Sequence, residues 1–554
     1  MLTSKAPTIV SLGEHIWDRL QAAPDTTFAC HVALNGIETN VTAEALISAA
    51  MAVRLAIEAL DLPVHALVGV VHKPGPWLHA GWLGTIWAGL TPTMIAPPSP
   101  RMEPIKYAEG FVSIAHGLGV DALVSDGKTI ALLGDLLPDM PRIITDSLVP
   151  VAERTPPVPR DSEDEVVVQH TSGTTGIQKA ISFTSAQIFA HAESYEKILA
   201  ISNDDRIATW LPLYHDMGFI ACFVMPLVLG IPIIEISPFD WVARPGLLLE
   251  AIGRHRASLC WMPNFAFRVM SSERVVAGLN PGLRLDGVKA FISCSEPVEA
   301  EALAMFAAAL APFGVRREQL LASYAMAENL FLVSQNPLGC PVEASFDRSL
   351  LESAGKAVPM VGGVILVSNG PPTLGSAVEI RRDEQVLGEG EVGAIWIAGE
   401  HLFGGYRKLD YHEVLRDGWY ESGDLGFLWR GEIYIIGRTK DLIIIRGRNY
   451  YPQDIEKLAS EVNGVQSGRV AAFGIHDAKS GTEKLILMIE LEIGRDCDKP
   501  AILLAIRQTV AQNLDTTIGD IVVLPPRGLV KSTAGKVARA ENRRRYFELK
   551  QASR

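Results

Sequence analysis

The chain of 554 residues has only six cysteines, Cys30, Cys222, Cys260, Cys294, Cys340 and Cys497, and none stands in a C-x-x-C pair or in a paired Cys/His spacing. The pattern suggests neither a zinc module nor a disulfide framework, and it fits a reducing cytoplasm. An excess of positive charge is missing as well. Lys+Arg number 50 against 63 Asp+Glu, a net charge of −13, which argues against a nucleic-acid binder. The opening MLTSKAPTIVSLGEHIW lacks a charged segment followed by an apolar run, so no secretory leader is expected. Two uncharged stretches, 74–100 and 217–234, are interrupted by Pro and Gly and read as buried core rather than membrane spans. There is no internal repeat and no low-complexity tract. What remains is the composition of an ordinary soluble globular protein, 48% hydrophobic and 20% charged, with a mean hydropathy of +0.19. Its length exceeds what one core supports, so about two to four domains are expected.

The most informative stretch is VVVQHTSGTTGIQKAISF, residues 166–183, where an apolar run breaks into hydroxyls and glycines and closes on a lysine. Gly173 and Gly176 let the backbone turn sharply and aim N–H groups at an anion. Thr171, Ser172, Thr174 and Thr175 add hydroxyl donors, and Lys179 adds a point charge. A nucleotide phosphate is the expected ligand. The loop is not a Walker motif, because Ile177 and Gln178 separate Gly176 from Lys179. Taken alone, such a cluster also suits a flexible turn.

From about Val166 onward, strand-like runs alternate with amphipathic helical stretches, the βα texture of a largely parallel sheet. Strands are expected at 207–211, 231–236, 257–262 and 288–293. Helices are expected after Asp216, near 247–254, from Asn264 and from Pro297, the last with Val298, Leu303, Phe306 and Leu310 on or near one face and Gly314 at its end. After about Val361 the strands shorten and glycines punctuate them, which predicts a β-rich subdomain over 361–437. The fold class is α/β: a large N-terminal domain, 1–440, then a mobile α+β C-terminal domain, 441–554.

Five further segments join the loop: LPLYHDMG (211–218), SCSEP (293–297) with ASYAMAE (322–328), YESGDLG (420–426), GRTKDLIIIRGRNYYPQDIE (437–456) and VKSTAGKVAR (530–539). In content and order they resemble the adenylate-forming superfamily of acyl-CoA synthetases, luciferases and nonribosomal adenylation domains. The chemistry is consistent with the residues. AMP transfer to a carboxylate requires one anion to attack another, so the site must neutralise charge and hold the reactants in line. Tyr324 offers a flat ring to a purine, Asp424 offers acceptors to ribose hydroxyls, and Glu328 is a hard oxygen ligand suited to magnesium. Singly, each would pass for core packing, a turn or a solvated charge.

The resemblance implies ATP and Mg2+ as cofactors. It implies nucleotide contacts from Thr171, Ser172, Gly173, Thr174, Thr175, Gly176, Lys179, Ser295, Glu296, Pro297, Tyr324, Ala325, Met326, Asp424 and Arg438. Glu328 is then the metal ligand and Lys536 the catalytic lysine that reaches the carboxylate and α-phosphate. His215 lies beside the acyl carboxylate and thiol channel, Asp441 is the hinge, and Asn449 sits in a segment that swings inward after rotation. Three positions depart from the family: Ala325 where Gly is usual, His170 where many relatives have Tyr, and Cys294 where Ala or Gly is common. They put substrate shape in doubt more than activity.

WLPLYHDMG, RPGLLLEAIGRHRAS, MPNFAF, SEPVEAEAL and DLIIIRGRNYYPQDIE resemble the fatty acyl-AMP ligase branch most, and residues 333–365 are similar to the insertion that distinguishes it. That branch implies a fatty acid substrate and a phosphopantetheine-bearing acyl carrier protein as partner, with no nucleic acid and no membrane span. An apolar acyl pocket is expected from Trp210, Met225, Trp261, Met262, Phe265 and Phe267. An acyl-CoA ligase using free coenzyme A, and a nucleotide-binding relative without catalysis, remain as alternatives. The basic tail, Arg539, Arg543, Arg544, Arg545 and Lys550, is either a solvated face or a surface for an acidic carrier.

Overall fold

The computed structural model describes residues 11–98, 103–133, 136–170, 179–339, 343–407, 414–445, 448–477, 482–492, 498–514, 516–531 and 535–552. The phosphate-loop residues Thr171, Ser172, Gly173, Thr174, Thr175 and Gly176 lie outside these.

Two sheets organise the N-terminal part. The first has eight strands in the order Leu332–Gln335, Leu320–Ala325, Ala290–Ser293, Leu259–Met262, Ile207–Thr209, Ile233–Ile236, Thr27–Val32, Glu38–Thr42. Its inner strands pair in parallel, and only the two outermost pairs are antiparallel. The second has six strands, Arg142–Ile144, Ala122–Ser125, Leu67–Val71, Thr91–Met94, Glu165–His170 and Ala180–Thr184, parallel except for the last pair. Inner strands buried on both faces read as continuous apolar runs, as Leu259–Met262 and Ala290–Ser293 do. One continuous apolar core serves both sheets.

The uncharged stretches find their place inside that core. Residues 74–100 supply the buried helix Pro76–Trp87 and the strand Thr91–Met94. Residues 217–234 form a π-helical turn, Met217–Val224, continued by the helix Met225–Leu229, which ends at Gly230 in the left-handed conformation. Among the described residues, no helix is long and apolar enough to cross a membrane.

The helix expected from Pro297 begins instead at Ala300. Upstream of it, the Phe265 amide donates to Glu296 Oε2 (3.0 Å) and the Glu299 amide to Asn264 Oδ1 (3.1 Å). These bonds tie residues 296–299 to the neighbouring helix and compete with continuing the turn. Leu303, Phe306 and Leu310 are fully buried as the periodicity required.

Beyond the second sheet lies a β-rich unit whose strands run Gln385–Val386, Ser376–Arg382, Gly393–Gly399, Trp419–Trp429 and Leu415–Arg416, with Glu432–Arg438 also paired to Trp419–Trp429. The 333–365 segment docks on it. Asp347 caps the helix Arg348–Ala354 by accepting from the Leu350 amide, and Gly355 closes it with φ +60°. The strand before the helix sends Phe346, wholly buried, edge-on to Phe427 (5.2 Å) and Tyr434 (5.6 Å). Leu351 is buried with them, whereas Leu350 is 38% exposed. The segment is therefore part of the core and not a loose surface loop.

From Asp441 onward the chain builds a β-ribbon, Ile443–Ile445 with Arg448–Tyr450, and a three-stranded sheet, Val465–Asp477, Thr482–Leu491 and Ile518–Leu524. The helices Pro452–Ser460 and Lys499–Leu514 pack with this sheet around a core of their own. Replacing Phe346 with alanine should cost about 3–5 kcal/mol locally. Amide exchange in 343–367 is expected to accelerate while the two parallel sheets stay protected, and unchanged exchange would contradict this packing.

Candidate active site

The stalks of the phosphate loop are the antiparallel strands Glu165–His170 and Ala180–Thr184, with His170 opposite Ala180. One stalk positions the expected metal ligand. Gln169 Nε2 donates to the carbonyls of Ala327 (3.0 Å) and Leu330 (2.8 Å), gripping the 3-10 turn Ala327–Asn329 that carries Glu328. Tyr406 closes the other side: its hydroxyl donates to Glu328 Oε1 (2.7 Å) and lies 3.0 Å from the Tyr420 hydroxyl, while Lys179 Nζ sits 4.3 Å from the centre of its ring. Burial pushes the Glu328 carboxyl above its ordinary range.

Tyr324 comes from a different sheet to meet Asp424 and Arg438, which stand opposite one another on the paired strands Trp419–Trp429 and Glu432–Arg438. The Tyr324 hydroxyl donates to Asp424 Oδ2 (2.7 Å) and Arg438 Nε donates to Asp424 Oδ1 (3.0 Å). Both oxygens are engaged, and a carboxylate with about four lone-pair sites keeps room for further donors. Beside Tyr324, Ala325 sits at a break in the strand register against Leu332, and the Met326 amide donates to the Phe331 carbonyl (2.7 Å). Ser295, between Cys294 and Glu296, holds φ +68°, an uncommon conformation for a non-glycine residue.

Lys536 reaches this region from the C-terminal part. Its ammonium acts on the charge of His215, Asp216, Glu296 and Cys294. The turn that carries it follows Gly535 at φ +81°, where a methyl group would stand 3.9 Å from Phe265. Burial, with help from the charges of His170 and Lys536, brings the His215 imidazole down to about 3. Burial pushes Asp216 and Glu296 up, against the pull of Lys536. Asp216 also starts the Met217–Val224 helix, accepting from the Met217 amide (2.8 Å). Gly218 is needed there because a Cβ would lie 2.4 Å from the Pro212 carbonyl oxygen. Asp216, Gln169 and Tyr406 were not picked out from sequence. Asp216 had a signal in its place beside His215 in LPLYHDMG, whereas Gln169 and Tyr406 act through folding contacts that no motif carries.

The six pocket candidates do not form one cluster. Trp210 stacks on Trp241 (3.7 Å, 8°), and Phe265 stands edge-on to both beside the Lys536 turn. Trp261 is fully buried against Tyr195 (5.6 Å), and Met225 and Met262 are buried in the same core. Phe267 is fully buried and packs edge-on to Phe306 (5.0 Å), between the helices Asn264–Met270 and Ala300–Leu310. The basic tail is also largely spoken for. Arg539 pairs with Asp441 and Glu456 (both 2.7 Å), Arg544 with Glu541, and Lys550 with Asp520.

Residues 19–407 match the family described as AMP-binding enzyme. The chain belongs to that family of enzymes. It is 29% identical over 556 residues to the long-chain-fatty-acid–AMP ligase FadD26 of Mycobacterium marinum, covering 92% of this chain and 93% of that one. It is 28% identical over 509 residues to the medium-chain-fatty-acid–[acyl-carrier-protein] ligase JamA of Moorena producens, covering 85% and 83%. Among solved structures, one from a study of fatty acyl-adenylate ligases from E. coli and L. pneumophila superimposes with a TM-score of 0.88 at 25% identity, covering 98% of this chain and 99% of that chain.

Two predictions follow from the electrostatics. Lys536→Ala should reduce acyl-adenylate formation at least a hundredfold, roughly the cost of losing one preorganised charge at a transition state, and leave the thermal transition nearly unchanged. Near-wild-type pyrophosphate release would remove Lys536 from the chemistry. For His215, the unfolded chain takes up a proton below about pH 6.5 that the folded protein refuses until about pH 3. Stability should therefore fall as pH is lowered through that window, with a shallower fall in His215→Asn. Equal slopes in the two proteins would contradict a buried neutral imidazole.

Proposed function

We propose that the protein activates a fatty acid with ATP as an acyl-adenylate and passes the acyl group to the phosphopantetheine thiol of an acyl carrier protein. The observation that carries the first half is the approach of Lys536 to a half-buried floor made by His215, Asp216 and Glu296, in the same region as Glu328 and the Tyr324–Asp424–Arg438 group. In this reading the loop 171–176 and Lys179 hold phosphates, and Ser295, Glu296, Pro297, Tyr324, Ala325 and Met326 border the adenine. Asp424 and Arg438 take the ribose. Glu328, with one oxygen held by Tyr406, keeps lone pairs for a hydrated magnesium ion, a hard cation that suits carboxylate oxygen. When bound, that ion offsets phosphate charge. Lys536 then adds a positive charge where the carboxylate meets the α-phosphorus, and water is excluded by Trp210, Trp241 and Phe265.

The names of FadD26 and JamA support a fatty acid as substrate, and JamA's supports a carrier protein as acceptor. A cytoplasmic setting accords with the absence of paired cysteines. The choice of carrier over free coenzyme A draws on the 333–365 segment, which meets the C-terminal part through Arg348 Nη1 and Asp454 Oδ2 (3.1 Å) and through a shared apolar cluster with Tyr451. Lys457 also bonds Glu301 of the N-terminal part (3.0 Å). These contacts favour the pose in which Lys536 is in the site. Asp441, held by Arg539, stands where the chain passes between the two parts and is the proposed pivot.

Excising residues 339–359 would pull Phe346 from the core, so the test is made with a side chain. The wild type is expected to transfer acyl groups to a phosphopantetheinylated carrier and scarcely to free coenzyme A. Arg348→Ala should leave adenylation intact and raise the coenzyme A rate several-fold, as expected when an obstruction is loosened. Efficient acyl-CoA synthesis by the wild type would assign the protein to coenzyme A ligation instead.

A further inference from the structure

Away from the adenylation region, His31, His79 and Glu235 converge in the interior between the first sheet and the helix Pro76–Trp87. His31 and Glu235 stand directly opposite one another on parallel strands, so both side chains leave the same face of the sheet. His79 comes down onto them from the helix. His31 Nδ1 lies 3.2 Å and His79 Nε2 3.1 Å from the same oxygen, Glu235 Oε2. Glu235 is 2% exposed and His79 1%.

Distances of this size normally mean hydrogen bonds, yet neither oxygen of Glu235 has a hydrogen-bond partner of acceptable geometry. Among the described residues, the only ion pairs of Glu235 are with these two imidazoles. A buried carboxylate left in this way is costly. His79 is stacked on Phe223 (4.9 Å) and edge-on to Phe28 (5.9 Å), while the His31 side chain keeps 15% exposure.

We infer that His31, His79 and Glu235 form a binding site for a structural divalent transition-metal ion of the zinc type, outside the adenylation chemistry. Two imidazole nitrogens and Glu235 Oε2 make a three-donor set, the two-histidine, one-carboxylate combination that zinc accepts with a water in its fourth position. Zinc–ligand bonds of about 2.0–2.2 Å in a tetrahedron place neighbouring donors roughly 3.3 Å apart. The measured 3.1 and 3.2 Å match that edge. The donor types match as well, since imidazole with carboxylate suits zinc. A divalent cation there balances the Glu235 carboxylate and ties two strands to one helix.

A second group, Cys30, Glu38 and His255, lies on the other side of the same strand. There Glu38 already has the Arg254 guanidinium, and burial, with the Glu38 charge, holds the Cys30 thiol up at about 11. That group is complete without a metal and serves as a control.

The test uses the full-length, tag-free protein, incubated with zinc sulfate and passed through a desalting column before metal analysis. About one zinc per chain is expected to remain. A strong chelator should then lower the thermal transition, and added zinc should restore it. Glu235→Gln keeps the shape and removes the charge, so its zinc content should fall to background, while Cys30→Ser should retain the ion. Wild-type protein that keeps no zinc and shows no thermal response to zinc or chelator overturns the site. Loss of zinc in Cys30→Ser with retention in Glu235→Gln overturns it too, by moving the ion to the other group. The readouts are metal content and thermal transition, so they do not depend on the adenylation reading.

Discussion

Buried negative charge without enough local cation is the constraint on which the proposed active site depends. Asp216, Glu296 and Glu328 are all pushed up by burial; the first two accept from the Met217 and Phe265 amides and the third from the Tyr406 hydroxyl. A carboxylate in that setting is stabilised by whatever positive charge arrives. Lys536 arrives from the other end of the sequence, directly after Gly535, whose φ of +81° lies in the left-handed region that favours glycine. Its position is therefore both an electrostatic and a conformational variable. Moving the C-terminal part away takes the ammonium off Asp216 and Glu296 together.

That coupling gives meaning to the contacts around the passage from Arg438 to Asp441. Arg438 holds Asp424 in the proposed ribose site, and three residues later Asp441 is held by Arg539, which also grips Glu456. A rotation about this point breaks contacts on one side only, because Arg539, Asp441 and Glu456 all belong to the C-terminal sequence. In the proposed rotation the contacts that would yield include Arg348 with Asp454 and Lys457 with Glu301, both partly exposed pairs of modest strength, and the apolar contact of Tyr451 with the body. Phe346 and its aromatic neighbours fix the 333–365 segment firmly to the body, so the segment presents Arg348 from a rigid base.

Much of this was legible in the sequence, for identifiable reasons. Strand and helix positions between 207 and 310 followed from apolar runs and period, because parallel strands buried on both faces leave an unbroken apolar signal. The motif residues Tyr324, Asp424 and Arg438 stood out singly; the Asp424–Arg438 bond lies within one hairpin, but the Tyr324–Asp424 bond joins distant strands and has no local signature. Phe265 and Phe267 share the segment MPNFAF, and its helix separates them, turning Phe267 toward Phe306 and Phe265 toward Trp210 and Trp241. The start of the helix at Ala300 was missed because Glu296 and Asn264 bond backbone across elements, which overrides the preference of Pro297 for a first turn. His31, His79 and Glu235 lie on three separate elements with no spacing rule, so only the assembled sheet brings them together.

The aromatic group of Trp210, Trp241 and Phe265 beside the Lys536 turn joins the apolar and charged sides of the account, since a dry wall strengthens every charge it encloses. The central claim is that this enclosed charge drives adenylation of a fatty acid. Fatty-acid-dependent exchange of labelled pyrophosphate into ATP by the purified wild-type protein tests it most directly. The account predicts exchange that requires both magnesium and an apolar carboxylic acid, proceeding with no thiol acceptor present. Absence of exchange across fatty acids from short to long chain, with the protein folded and ATP bound, would contradict it.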